Sequence, residues 1–168
     1  MDQLLVEFRD TAHLGRVVLR LLIAVVLGGI VGFERLRDGR AAGLRTHMLV
    51  SLGSALFTLT AVEGGMSMAD VSRIIQGVAA GIGFLGAGNI LKSREQHRVE
   101  GLTSAASIWL TAAAGVAVGA GWVWSPVVGI VFAWAILAGL RGIEHRWRVS
   151  EDVQTPESHG TPGGPERR

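Results

Sequence analysis

Ionisable and hydrogen-bonding residues gather where apolar runs begin or end: Glu34 with Arg35, Arg45 with Thr46 and His47, Asn89 with Lys92, and Glu100 with Thr103. Carboxylate, guanidinium, imidazole and amide groups at one depth of an apolar medium can build a charge-assisted hydrogen-bond network. The same groups can instead cap helices and anchor them at a polar interface. Both readings stand on the residues alone. His47, His97 and His145 raise the idea of a metal site, yet none has local ligand spacing and there is no cysteine, so metal binding stays undecided. Ser51 and Ser54 lie outside any nucleophile-elbow sequence and no mid-span histidine could serve them as base, so no enzyme is expected. Arg73 and Gln76 share a helix face close in sequence to Asp70 and Glu63, where a second polar cluster is expected. Arg20 can either snorkel to the head groups or take part in an ion pair.

The elements that must position these residues are five apolar stretches beginning near residues 15, 46, 71, 101 and 122. Each has roughly the 20 residues a helix needs to cross about 30 Å of hydrocarbon. Lipid cannot satisfy backbone hydrogen bonds, so such segments must be helices. The expected fold is all-α: a polytopic membrane bundle of about five transmembrane helices. Arg35, Arg37, Arg40 and Arg45 follow the first stretch, Lys92, Arg94 and Arg98 the third, and Arg141, Arg146 and Arg148 the last. The gaps after the second and fourth stretches lack Lys and Arg. Cationic loops stay cytoplasmic, which predicts the N-terminus outside and the C-terminus inside.

Net charge is only +2, from 16 basic and 14 acidic residues, and no aromatic stripe interleaves with the cations, so nucleic acid is not an expected partner. The lipid bilayer is, because juxtamembrane cations meet anionic head groups. Residues 1–16 mix charges of both signs without a dominant positive region, and residues 28–34 contain no persuasive cleavage site, so the first span is expected to be retained. Residues 1–148 are expected to form the membrane domain. Residues 149–168, with Pro156, Pro162, Pro165 and several glycines among polar residues, read as a disordered cytoplasmic tail.

Glycine accounts for 24 of 168 residues, about twice the usual share. Gly28 and Gly32, Gly77 and Gly81, and Gly115 and Gly119 repeat at four residues, the spacing at which two helices approach backbone to backbone. Gly83, Gly86 and Gly88 extend the Gly77–Gly81 set, and all nine are expected at helix contacts. Gly81, Gly83 and Gly86 also spell G-x-G-x-x-G, but inside an apolar span rather than after a strand, so no dinucleotide or other cofactor is expected.

Three blocks together resemble the N-terminal membrane domain of the MgtC/SapB family. They are Gly28 to Arg35 followed by AGLRTHMLVSLGSAL from Ala42, then Arg73 and Gln76 with GIGFLGAG ending at Gly88, then EGLTSAASIW from Glu100 to Trp109. The resemblance implies functional positions at Glu34, Arg35, Arg45, Thr46, His47, Arg73, Gln76, Asn89, Gly101, Thr103 and Trp109. Asn89 stands where an aliphatic residue is more usual in the family, and Gly77-Val78-Ala79-Ala80 replaces a Val-Val-Ser-Gly type of sequence. About 28 mostly polar residues follow Leu140, so the cytoplasmic ACT-like domain of longer members is not expected. The family implies a bacterial inner-membrane protein associated with growth under magnesium limitation and, in pathogens, with survival inside host cells. One implied role is a non-enzymatic regulator contacting other membrane complexes, ATP synthase among them; the other is magnesium or other ion transport. Self-association into a homo-oligomer is left open. Mg²⁺ favours carboxylate oxygens and retained waters, and no carboxylate lies near mid-span, which favours the regulator.

Overall fold

The computed structural model describes residues 11–91 and 101–139. These form α1 (Thr11–Arg37), α2 (Leu44–Glu63), α3 (Met68–Leu91), α4 (Leu102–Gly119) and α5 (Trp124–Gly139), with no strand among the described residues. The five expected helices are therefore present, each within a few residues of its expected start. Three are long and apolar enough to cross a membrane on length and composition alone: Thr11–Arg37, Met68–Ile90 and Leu102–Gly119. Trp124–Gly139 is apolar but shorter. The 20-residue α2 is long enough, but Arg45, Thr46, His47, three serines and threonines on its buried face and Glu63 lower its hydropathy.

The packing explains why α2 tolerates that composition. Helices α1 and α4 both pack along α2, while α3 lies chiefly on α4. Polar side chains of α2 consequently meet protein, not lipid, which removes the cost of placing them in hydrocarbon. Polarity is inverted relative to a water-soluble bundle. His47, Ser51, Ser54, Thr58, Ser104, Ser107 and Thr111 are buried, whereas Leu19, Val26, Leu49, Phe57, Phe84 and Phe132 are exposed. The apolar part of the core joins Ala24, Leu27 and Val31 of α1, Ala55 of α2, Ala114 and Val118 of α4 and Ile130 of α5. A smaller cluster joins Ala42, Ile82, Ile108 and Ala112.

Close approach comes from glycine on both sides of α2. A Cβ on Gly28 would lie 2.5 Å from the His47 carbonyl oxygen, and one on Gly32 would lie 2.7 Å from the Leu44 Cα. On the other side, a Cβ on Gly115 would collide with the Ser51 carbonyl and one on Gly119 with that of Ala55. Gly86 meets Ala105 at an ordinary 3.4 Å. The remaining α3 glycines differ from expectation: at Gly77, Gly81, Gly83 and Gly88 a Cβ would meet nothing within 4 Å. The physical reason is that α3 leans on α4 through its Ile82 and Gly86 side, leaving the Gly77–Gly81 face turned away from that contact. Gly81, Gly83 and Gly86 also lie inside α3, without the strand–turn–helix context of a dinucleotide site.

The chain divides into two compact units, Met1–Trp134 and Ala135–Arg168. The features above lie in the first; of the second, only residues 135–139, the end of α5, are described. The expected tail at 149–168 lies outside the described residues, as do Lys92, His97, Glu100 and His145.

Candidate functional site

Chain geometry at the end of α1 brings charge into the bundle. Glu34 and Arg35 are buried, and Arg35 Nη2 lies 3.3 Å from Asp38 Oδ2, three residues on. The turn closes with Asp38 N–H donating to the Glu34 carbonyl at 3.3 Å and Arg40 N–H to the Arg35 carbonyl at 3.1 Å. Three residues further, Gly43 precedes α2, and His47 occupies its first turn. The absence of a side chain at Gly32 lets α1 come within 3.0 Å of the His47 Cβ, measured from the position a Cβ would take.

His47 is fully buried and both ring nitrogens are engaged. Nδ1 lies 2.9 Å from the Gly43 carbonyl oxygen and Nε2 3.1 Å from Ser107 Oγ of α4. The Ser107 hydroxyl in turn donates to the Ser104 carbonyl at 2.8 Å, and Thr111 Oγ1 donates to the Ser107 carbonyl at 2.8 Å. On α2, Thr58 Oγ1 donates to the Ser54 carbonyl at 3.0 Å. Ser51 Oγ, buried between these, has no hydrogen-bond partner among the described residues. Two rows of small polar groups thus face into the core, His47, Ser51, Ser54 and Thr58 on α2 and Ser104, Ser107 and Thr111 on α4.

The family-implied positions do not all converge. Glu34 and Arg35 are buried at the end of α1, and His47 is buried in the first turn of α2. Arg45 is exposed in the first turn of α2 and makes no ion pair among the described residues, while Thr46 beside it is half-buried. Asn89 meets Gly101 across the α3–α4 connection, where a Cβ on Gly101 would lie 3.2 Å from the Asn89 carbonyl oxygen. Gly101 has φ +97°, so a side chain there would be strained as well as crowded. Thr103 is exposed. Trp109 is exposed on α4, beside a cavity of about 160 Å³ shared with Ile75 and Val78.

At the opposite end of α3, Arg73 and Gln76 are both exposed. Arg73 Nη1 lies 3.3 Å from Asp70 Oδ1, and Asp70 also accepts from the Ser67 hydroxyl at 2.6 Å. Asp70 N–H donates back to Ser67 Oγ at 3.2 Å, a reciprocal cap on α3. The expected cluster is smaller than its sequence neighbours suggest, because Glu63 turns to His13 of α1 at 3.5 Å. Arg20 points its guanidinium at the α4–α5 turn, 3.1 Å from where a Gly121 Cβ would stand. Among the described residues no three His, Asp or Glu side chains are placed to hold a metal ion.

Sequence reasoning missed the hydroxyl rows. Their signal is the phase of residues 47, 51, 54 and 58, which recur at helical spacing on one side of α2. Ser51 and Ser54, considered only as nucleophiles, belong to that row.

Between α2 and α3 runs an apolar cleft of about 380 Å³, bordered by Ser54, Phe57, Ile74, Gly77, Gly81 and Ile82. Long apolar helices, a polar interior and an apolar exterior define a helical membrane protein. The chain belongs to the MgtC family, whose model matches residues 21–146. It is 45% identical over 136 residues to SrpB of Synechococcus elongatus, covering 74% of this chain and 75% of that protein. It is 42% identical over 127 residues to YhiD of Escherichia coli K12, whose name proposes a magnesium transporter, covering 71% and 58% respectively. To MgtC of Brucella abortus the identity is 45% over 120 residues, 70% of this chain and 48% of that protein. Thus the match spans only about half of the MgtC and YhiD relatives. No solved structure matches the chain.

Proposed function

We propose that this protein is a non-enzymatic regulator or interaction protein of the bacterial inner membrane, acting in adaptation to low magnesium through contacts with other membrane complexes. The observation that carries this reading is the make-up of the buried polar set. Among the described residues it comprises one carboxylate, Glu34, with Arg35, His47 and six hydroxyl side chains. Mg²⁺ holds its waters tightly and is bound through one or two carboxylates, and a guanidinium beside the single carboxylate repels a divalent cation. The apolar cleft beside the unfilled Gly77–Gly81 face offers room for a neighbouring membrane segment. ATP synthase is one such complex that the family resemblance suggests. The α1–α2 turn and the C-terminus lie in the cytoplasm on this reading, following their cations.

Magnesium or other ion transport is the second reading. The hydroxyl rows of α2 and α4 favour it, since hydroxyls can line a hydrated path, and so does the name of YhiD. The deciding experiment reconstitutes purified protein in sealed vesicles containing a Mg²⁺-sensitive dye, with complementation of a family-deficient strain in low-magnesium medium run in parallel. Complementation without protein-dependent uptake is expected. Saturable uptake overturns the regulator.

A further inference from the structure

We propose that Arg16 and Arg20 of α1, together with the α4–α5 turn, form a binding site for the phosphate of an anionic phospholipid. Arg20 does not sit on a lipid-facing side of its helix. It precedes the buried Ala24, Leu27 and Val31 at steps of four, three and four residues, so it shares the stripe that α1 turns into the core. One turn beyond Ala24, its guanidinium lies beside the α4–α5 turn, with Nη2, Cζ and Nη1 at 3.1, 3.4 and 3.9 Å from where a Gly121 Cβ would stand. Gly121 has φ +93° and no side chain, which leaves the guanidinium room against the backbone.

The protein gives that guanidinium no partner. Arg20 is half-buried, yet it makes no hydrogen bond or ion pair among the described residues, and its N–H groups are not sealed from the surface. The carbonyls that end α4 turn to the backbone: Val116, Ala117 and Val118 accept from the N–H groups of Ala120, Trp122 and Gly121. Neither α4 nor α5 carries an ionisable side chain. At the same end of the bundle, Glu63 faces His13 at 3.5 Å and Asp70 faces Arg73 at 3.3 Å. Arg16, exposed one turn from Arg20 on the same face, likewise has no ion pair among the described residues. Two positive charges therefore stand together without a counter-charge, and the fixed fork of guanidinium donors matches the oxygens of a phosphate.

Depth identifies which phosphate. Arg20 and Arg37 are 17 residues apart on one helix, about 26 Å along its axis. Hydrocarbon is about 30 Å thick, so with Arg37 at one interface Arg20 reaches the other, where phospholipid head groups lie. Trp122 and Trp124, largely exposed next to Gly121 in the chain, have the amphipathic rings that settle at head-group level. A zwitterionic lipid brings a cation with its phosphate, whereas a head group of net negative charge complements two arginines. Free phosphate offers the same oxygens but no acyl chains, for which Val18, Leu19 and Leu22 of α1 expose apolar surface. The site is independent of whether the protein regulates or transports.

The test places the full chain in phosphatidylcholine vesicles with a trace of phosphatidylglycerol that carries a photoactivatable diazirine near its head group. Crosslinked peptides are located by mass spectrometry. Adducts are expected at the α4–α5 turn and to be displaced by unlabelled phosphatidylglycerol but not by inorganic phosphate. Arg20→Gln is expected to lower them about tenfold, as for loss of a charge-assisted hydrogen bond, with helix content by circular dichroism unchanged. Arg16→Gln, at an exposed position, is expected to lower them by a smaller factor and carries the comparison if Arg20→Gln does not fold. Arg40→Gln removes an exposed cation near the far end of α1 and is expected to leave them unchanged. Adducts that persist in both Arg20→Gln and Arg16→Gln, an equal fall in Arg40→Gln, failure of unlabelled phosphatidylglycerol to compete, or displacement by inorganic phosphate each overturns the lipid site.

Discussion

His47 Nε2 and Ser107 Oγ, 60 residues apart in the chain, meet at 3.1 Å inside the bundle and tie α2 to α4. The link joins α2, whose buried face carries His47 and three hydroxyl side chains, to α4, which is long and apolar enough by length and composition to cross a membrane.

Removing one side of that link tests its contribution. Ser107→Ala leaves the Nε2 atom of a buried ring without its partner, and interhelical hydrogen bonds in membranes contribute about 1 kcal/mol. Reversible unfolding in mixed micelles is expected to show a loss of that size with helix content preserved by circular dichroism.

Glycine substitutions should separate two classes. Gly28→Ala and Gly115→Ala place a Cβ against α2 backbone, which cannot give way as a flexible side chain would, and are expected to cost about 1–3 kcal/mol. Gly81→Ala adds its methyl to open space and is expected to leave the folded, monodisperse fraction in detergent unchanged. Size-exclusion yield of the three variants, purified side by side, provides the comparison.

Two neighbouring arginines should behave differently. Arg35→Gln removes a buried cation paired with the half-buried Asp38 and is expected to destabilise by about 2–3 kcal/mol. Arg45→Gln alters an exposed side chain and should change stability by less than about 0.5 kcal/mol. If Arg45 contacts a partner, as the proposed function requires of an exposed family position, complementation in low magnesium falls while membrane abundance holds. Measuring growth and abundance together distinguishes a lost contact from a lost protein.

Orientation is open to a direct measurement because the chain has no cysteine. Single cysteines at Met66 or Ser67, both exposed in the α2–α3 turn, should react with an impermeant reagent added to intact spheroplasts. A cysteine at Arg40, exposed in the α1–α2 turn, should react only after lysis.

Much of the fold is legible in the sequence because lipid imposes helices on apolar runs of spanning length, and each of the five runs maps to one helix. Partner choice is harder to read. The spacing of Gly77 and Gly81 matches that of Gly28 and Gly32, but spacing specifies a face and not the neighbour, and α3 turns that face away from α4. Serine and threonine are ambiguous for a related reason. Their hydroxyls can bond to a carbonyl on their own helix, as Thr58 and Thr111 do, so their presence in a span does not say whether lipid or protein lies beside them. Glu34, Arg35 and His47 are readable as polar groups at the ends of apolar runs, whereas the contact of His47 with Ser107 depends on how α4 lies across α2.

The position of α2 between α1 and α4 bears on how the protein is made. Synthesis delivers α1 and α2 first, and the whole of α3 must follow before α4 exists to cover Ser51, Ser54 and Thr58. During that interval α1 can pack on α2 through Gly28 and Gly32, while the side of α2 that meets Gly115 and Gly119 of α4 stays uncovered. A nascent chain stalled after α3 would therefore hold an uncovered hydroxyl row at the insertion machinery, and release of α2 into the bilayer would coincide with the emergence of α4.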